Sequence, residues 1–108
     1  MKAYCIFDVR EIIDPGKLEL YTRDVLATVR AHGGRYLSVG GLCHRVEGDW
    51  SPSFLVLIEF AGIEQARNWY DSSEYRALRQ LRLEGSRGDG VIIEPEAGGL
   101  RDQLVGDA

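Results

Sequence analysis

Ser53-Phe54-Leu55-Val56-Leu57-Ile58-Glu59-Phe60 is the stretch on which the fold turns. From Phe54 to Ile58 it is apolar at every position. Side chains alternate between the two faces of a strand, so Phe54, Val56, Ile58 and Phe60 point one way and Leu55 and Leu57 the other. A strand with one wet face alternates apolar and polar residues. This one does not, so both of its faces need cover. The N-terminal run Ala3 to Val9 has the same character, with Ala3, Cys5, Phe7 and Val9 set against Tyr4 and Ile6.

Helices and further strands are legible on either side of these two runs. Asp14-Pro15-Gly16 starts a helix, because aspartate caps and proline suits the first helical position. Leu18, Tyr21, Val25, Val29 and His32 follow at spacings of three and four and form one helical face. Gly33-Gly34 ends it. Arg35 to Val39 reads as the second strand. Gly40-Gly41 interrupts it, and Leu42 to Glu47 is expected to continue it or pair back as a short hairpin arm. Gly48 to Pro52 is a loop. After the central strand, Gly62 and Ile63 open a helical region with Ala66, Trp69 and Tyr70 on one face. Asp71-Ser72-Ser73-Glu74 has capping-box spacing, so a new helix begins after Asp71. It carries Tyr75, Leu78 and Arg82 on one side, with Leu81 beside them. Gly85, Gly88 and Gly90 mark its exit, and Val91 to Glu94 is the last strand, closed by Pro95. Residues 1–95 form one α+β domain. Residues 96–108 read as a C-terminal tail, frayed or laid on a partner.

The order β-α-β-β-α-β, with a split second helix, is the ferredoxin-like arrangement of an antiparallel sheet backed by helices. One sheet face meets the helices. The other must be covered as well, since leaving Leu55 and Leu57 in water would forgo roughly 1.5–3 kcal/mol each. A chain of 108 residues has too little left to build a second layer. A second copy, packed sheet against sheet about a two-fold axis, is the simplest cover. The alternative is the tail folding over that face through Leu100, Leu104 and Val105.

The residues resemble the domain-of-unknown-function 1330 family. The resemblance is carried by His32-Gly33-Gly34-Arg35-Tyr36-Leu37, Glu47-Gly48-Asp49-Trp50, Ile58-Glu59-Phe60 and Trp69-Tyr70-Asp71-Ser72-Ser73-Glu74-Tyr75, with Asp14-Pro15 and Tyr21. It spans about residues 2–95. It implies a dimeric α/β-barrel in which two ferredoxin-like sheets face each other, and it implies no established activity. The chain departs from the family's usual pattern at Val39 and Phe54, where relatives often carry arginine. An anion-binding role therefore does not carry over through those positions.

Composition narrows the partners. A net charge of -4 argues against a nucleic-acid footprint and against adhesion to an anionic membrane surface. No run approaches the roughly 20 apolar residues of a membrane span. Charge arrives too early in Met1 to Asp8 for a signal peptide. Cys5 and Cys43 make no CxxC pair, and Cys5 reads as a small core residue. The cytoplasm is the expected compartment.

No G-x-S-x-G, GxGxxG, P-loop or H-E-x-x-H motif occurs, and His44 has no ligand at metal spacing, so neither a cofactor nor a metal is expected. The candidates for acid–base chemistry are His32, Asp8 and Glu59. His32 is either a general base or a helix-end residue favoured by the dipole. Asp8 and Glu59 are either carboxylates with raised pKa at a core edge or ion-pair partners of Arg10, Arg35, Arg45 or Arg82. Tyr21, Trp69, Tyr70 and Tyr75 come from helical faces turned to the sheet. They either pack as core or line a helix–sheet cavity for a small organic molecule. Arg82 can hold a carboxylate there or close the cavity with Glu59. Two functions follow: a homodimeric binding module, or a cofactor-independent enzyme of monooxygenase or isomerase type acting on a small aromatic or carbonyl compound.

Overall fold

Every strand of the sheet is antiparallel to its neighbours, in the order β2-β3-β1-β4, in a computed structural model that describes residues 1–106. The strands are β1 (Ala3–Ile12), β2 (Arg35–Val39), β3 (Leu55–Phe60) and β4 (Ser86–Ile93). The helices are α1 (Pro15–Ala31), α2 (Ile63–Tyr70), α3 (Ser73–Gly85) and α4 (Gly99–Val105). The first three helices pack on one face of the sheet. None of the helices among the described residues is long and apolar enough to cross a membrane.

Local chemistry sets the element ends. The Asp14 carboxylate accepts the Lys17 N–H at 3.2 Å and caps α1, with Pro15 at its first turn. The two glycines after α1 have separate tasks. Gly33 takes a φ of 74°, which an L side chain rarely adopts. Gly34 lies so close to the core that a Cβ there would sit 2.5 Å from the Phe60 ring and 2.8 Å from Val29. The break between α2 and α3 falls where the capping residues suggest, one residue later than expected. Asp71 closes α2, and the Ser72 hydroxyl accepts the Tyr75 N–H at 3.2 Å while donating to the Trp69 carbonyl at 2.8 Å.

Two expectations need correction. Leu42 to Glu47 is neither a strand continuation nor a hairpin arm; residues 41–54 contain no helix or strand. Leu42, Val46 and Trp50 are exposed there, so no apolar face anchors this segment to the sheet. The last strand begins at Ser86 rather than Val91, and it contains Gly88 and Gly90. Register with β1 supplies the hydrogen bonds that these glycines lack the propensity to specify, pairing Phe7 with Gly90 and Val9 with Gly88. Residues 96–106 include the short helix α4, none of whose residues is buried. The last two residues of the expected tail, 107–108, lie outside the described residues.

The core sits between sheet and helices. Ala3, Cys5, Phe7, Ile58 and Phe60 meet Val25, Val29, Ala66, Trp69, Tyr75 and Leu78. Burial pushes the Cys5 thiol up to about 11, so it is an inert core group. On the far face, Ile6 stands opposite Leu57 on one side and Val91 on the other, and Tyr4 stands opposite Ile93. Val91 and Ile93 are exposed.

Candidate functional site

The cleft opens between α3 and β4. On β4 the positions facing the helices are Gly88, Gly90 and Ile92, because their partners on β1 are the core-facing Val9, Phe7 and Cys5. Two of these carry no side chain, so the space between α3 and β4 stays partly empty. The Phe7 ring lies against Gly90, where a Cβ would come within 2.5 Å of it. The resulting cleft has a volume of about 410 Å³ and is bordered by Phe7, Tyr70, Arg82, Leu83 and Ile92. A second hollow of about 290 Å³ shares Phe7, Arg82 and Gly88 with it. Small-molecule sites run to about 300–1,000 Å³.

Arg82 is the central polar group. Its guanidinium lies over the Phe7 ring at 4.8 Å, and its Nε–H donates to the Tyr75 hydroxyl at 3.3 Å. The Tyr75 hydroxyl is also 2.9 Å from that of Tyr21. Three helical side chains thus form a chain of hydrogen bonds behind the cleft, and the arginine is its outermost member. Burial would pull the Arg82 guanidinium down, but Tyr75, Tyr21 and Tyr70 outweigh that and leave it raised, so it is charged. Burial, reinforced by Tyr75, holds the Tyr21 phenol far above its usual range, so it is neutral. Among the described residues no carboxylate pairs with Arg82.

The other expected site residues fall in different places. Tyr70 borders the cleft, with Arg79 over its ring at 4.8 Å. Trp69 is wholly buried against Tyr75, with ring centroids 4.2 Å apart, and its N–H donates to the Thr28 hydroxyl at 3.0 Å. His32 caps α1; its Nδ1 is 2.9 Å from the Thr28 carbonyl and its Nε2 is 4.0 Å from Glu74. Glu59 is on the far side of the sheet, held by Arg35 at 3.0 Å and Lys2 at 3.1 Å. It does not close the cleft with Arg82. Hydrogen bonds from Lys2 and Arg35 hold its carboxyl below the usual carboxylate range, the reverse of the shift an acid–base role requires. Asp8 shares the far face with Tyr4 and Ile6. Its Oδ1 accepts the N–H groups of Ser53 and Phe54 at 3.1 and 3.3 Å, anchoring the long loop. Its Oδ2 is buried with no partner among the described residues. None of His32, Asp8 and Glu59 reaches a tyrosine hydroxyl.

Phe7, Gly90 and Arg67 belong to the cleft and were missed. Gly88-Asp89-Gly90 held the signal, since glycine at every second position of a strand bares one face. Among the described residues no group of three His, Cys, Asp or Glu side chains is placed to hold a metal ion.

The profile of the family described as "Domain of unknown function (DUF1330)" matches residues 2–95. No curated protein matches the chain. Among solved structures, a protein of unknown function from Rhodopseudomonas palustris superposes with a TM-score of 0.68 at 14% identity, over 90% of this chain and 84% of that one. A dabb family protein with a ferredoxin-like fold from Mesorhizobium loti gives 0.58 at 12% identity, over 89% and 98%. SnoaB, a cofactor-independent oxygenase from Streptomyces nogalater, gives 0.54 at 11% identity, over 90% and 93%. These likenesses establish the fold as ferredoxin-like.

Proposed function

The chain belongs to the DUF1330 family, and from that premise we propose that it is a homodimeric module whose α3–β4 cleft binds a small organic anion through Arg82. The observation that carries this reading is a charged, partly buried guanidinium at the wall of a cleft of mixed polarity, aimed by Tyr75 and with no carboxylate partner among the described residues. Burying a charge without a counter-charge is costly, and an incoming carboxylate relieves that cost with charge-assisted hydrogen bonds. Phe7, Tyr70 and Ile92 supply apolar surface for the rest of the ligand.

Isothermal titration with benzoate as the probe tests it. Binding is expected in the parent protein and weakens at least roughly tenfold in Arg82→Ala, the range for a hydrogen bond to a charged group. Unchanged affinity in that variant would remove Arg82 from the site.

A cofactor-independent oxygenase is the second reading. The fold shared with SnoaB favours it, as does a guanidinium in the cleft wall, a group that stabilises an enolate or phenolate. It ranks second because the carboxylates at the cleft, Asp71 and Asp89, are each turned to an arginine outside it, Arg79 and Arg10. Oxygen uptake with a hydroquinone as substrate, abolished in Arg82→Ala, would reverse the ranking.

A further inference from the structure

Charge accounting around the cleft points beyond a single anchor. Its charged border consists of Arg67, Asp71, Arg82 and Asp89. Both carboxylates are paired with arginines that do not border it. Asp71 lies 3.6 Å from Arg79, and Asp89 is bonded to Arg10. Arg79 is fixed in place, donating to the Tyr70 carbonyl at 2.9 Å and lying over that ring at 4.8 Å. Neither bordering arginine has a carboxylate partner among the described residues. In a chain of net charge -4, this cleft therefore presents two guanidinium groups, from α2 and α3, that have no ion-pair partner among the described residues, beside Phe7 and the bare strand at Gly90.

We infer that the ligand class is the organic dianion: a flat apolar body on Phe7 with one anionic group on Arg82 and a second at Arg67. The inference rests on the reading of this cleft as an anion site. The two arginines contribute unequally. Arg82 is partly buried and held by Tyr75, so its contribution is large and weakly screened. Arg67 is exposed, so its contribution is smaller and falls with salt.

The test is titration of the parent chain with benzoate, isophthalate, terephthalate and inorganic phosphate, at low and high salt. The better dicarboxylate is expected to bind on the order of fivefold tighter than benzoate at low salt, the upper range of an exposed ion pair. Arg67→Ala should erase the dicarboxylate's advantage over benzoate. Arg82→Ala should weaken both; Arg82→Lys, which keeps the charge, serves if the alanine variant unfolds. Dicarboxylates binding no tighter than benzoate, with benzoate still dependent on Arg82, overturn the dianion and leave the single-anion site standing. Phosphate binding as tightly as the dicarboxylates overturns it too, since the apolar body then counts for nothing. No binding by any probe removes the anion site itself, and the inference with it.

Discussion

Glu59 illustrates how much a single side chain's role depends on its face. From the sequence it is a carboxylate at a core edge, open to acid–base work but better suited to an ion pair. In the fold its partners are Lys2 and Arg35, and they hold its pKa down. A carboxyl whose folded pKa lies below its unfolded value stabilises the fold above the ordinary glutamate range, near about 4.3. That contribution is lost as pH falls through the lowered value. Glu59→Gln is therefore expected to lower the urea midpoint at about pH 7, and the gap from the parent should narrow toward about pH 3. A gap that stays constant with pH would mean that the carboxylate's charge adds nothing. Arg82 was readable beside Tyr75, and Tyr70 beside Trp69, because helical spacing placed each pair on one face; that Arg82 and Tyr70 border the cleft was not. Trp69 was readable only as belonging to that face; depth decided that it is core.

At the scale of elements, β4 is the least legible strand and the one that makes the cleft. Its Ser86-to-Gly90 half has weak strand propensity, and it is a strand because β1 offers paired hydrogen bonds along its length. Gly90→Ala would put a methyl 2.5 Å from the Phe7 ring, so the ring must move and the Arg82 stack must move with it. Overpacking of this kind costs about 1–3 kcal/mol. The expected outcome is a lower melting temperature together with weaker benzoate binding. Weaker binding with an unchanged melting temperature would show that Phe7 gives way freely. The α1 cap and the α2–α3 break were legible because Asp14-Pro15 and Ser72 act through bonds to residues near them in sequence.

For the whole molecule, the sheet's far face is the feature that matters, because β3 turns apolar residues to it. The chain measures 46 × 34 × 16 Å with a radius of gyration of 15.3 Å. Compact domains of 100 residues come to about 13 Å. A thin slab with Val91 and Ile93 exposed beside Ile6 and Leu57 has a large unburied apolar side. The α4 helix buries none of its residues, so it does not supply the cover. Under the proposed homodimer, Leu57→Lys puts a charge into that interface and should yield a species near the 12.1 kDa chain mass in sedimentation equilibrium. The parent should sediment at about twice that mass. A parent that is monomeric at micromolar concentration would reject the dimer.

The sequence by itself determined the order of elements up to β4, the helix caps and the antiparallel sheet, and it showed β3 apolar on both faces. These follow from local bonds and from periodicity, which neighbouring residues carry. Only the tertiary structure decided which side of the sheet the helices took. β1 and β3 are apolar on both faces, so their pattern is nearly symmetric and cannot say whether Asp8 and Glu59 lie with the tyrosines or away from them. The helices settled on the Ala3, Cys5 and Phe7 side. That choice left those carboxylates behind the sheet and gave the cleft to Arg82.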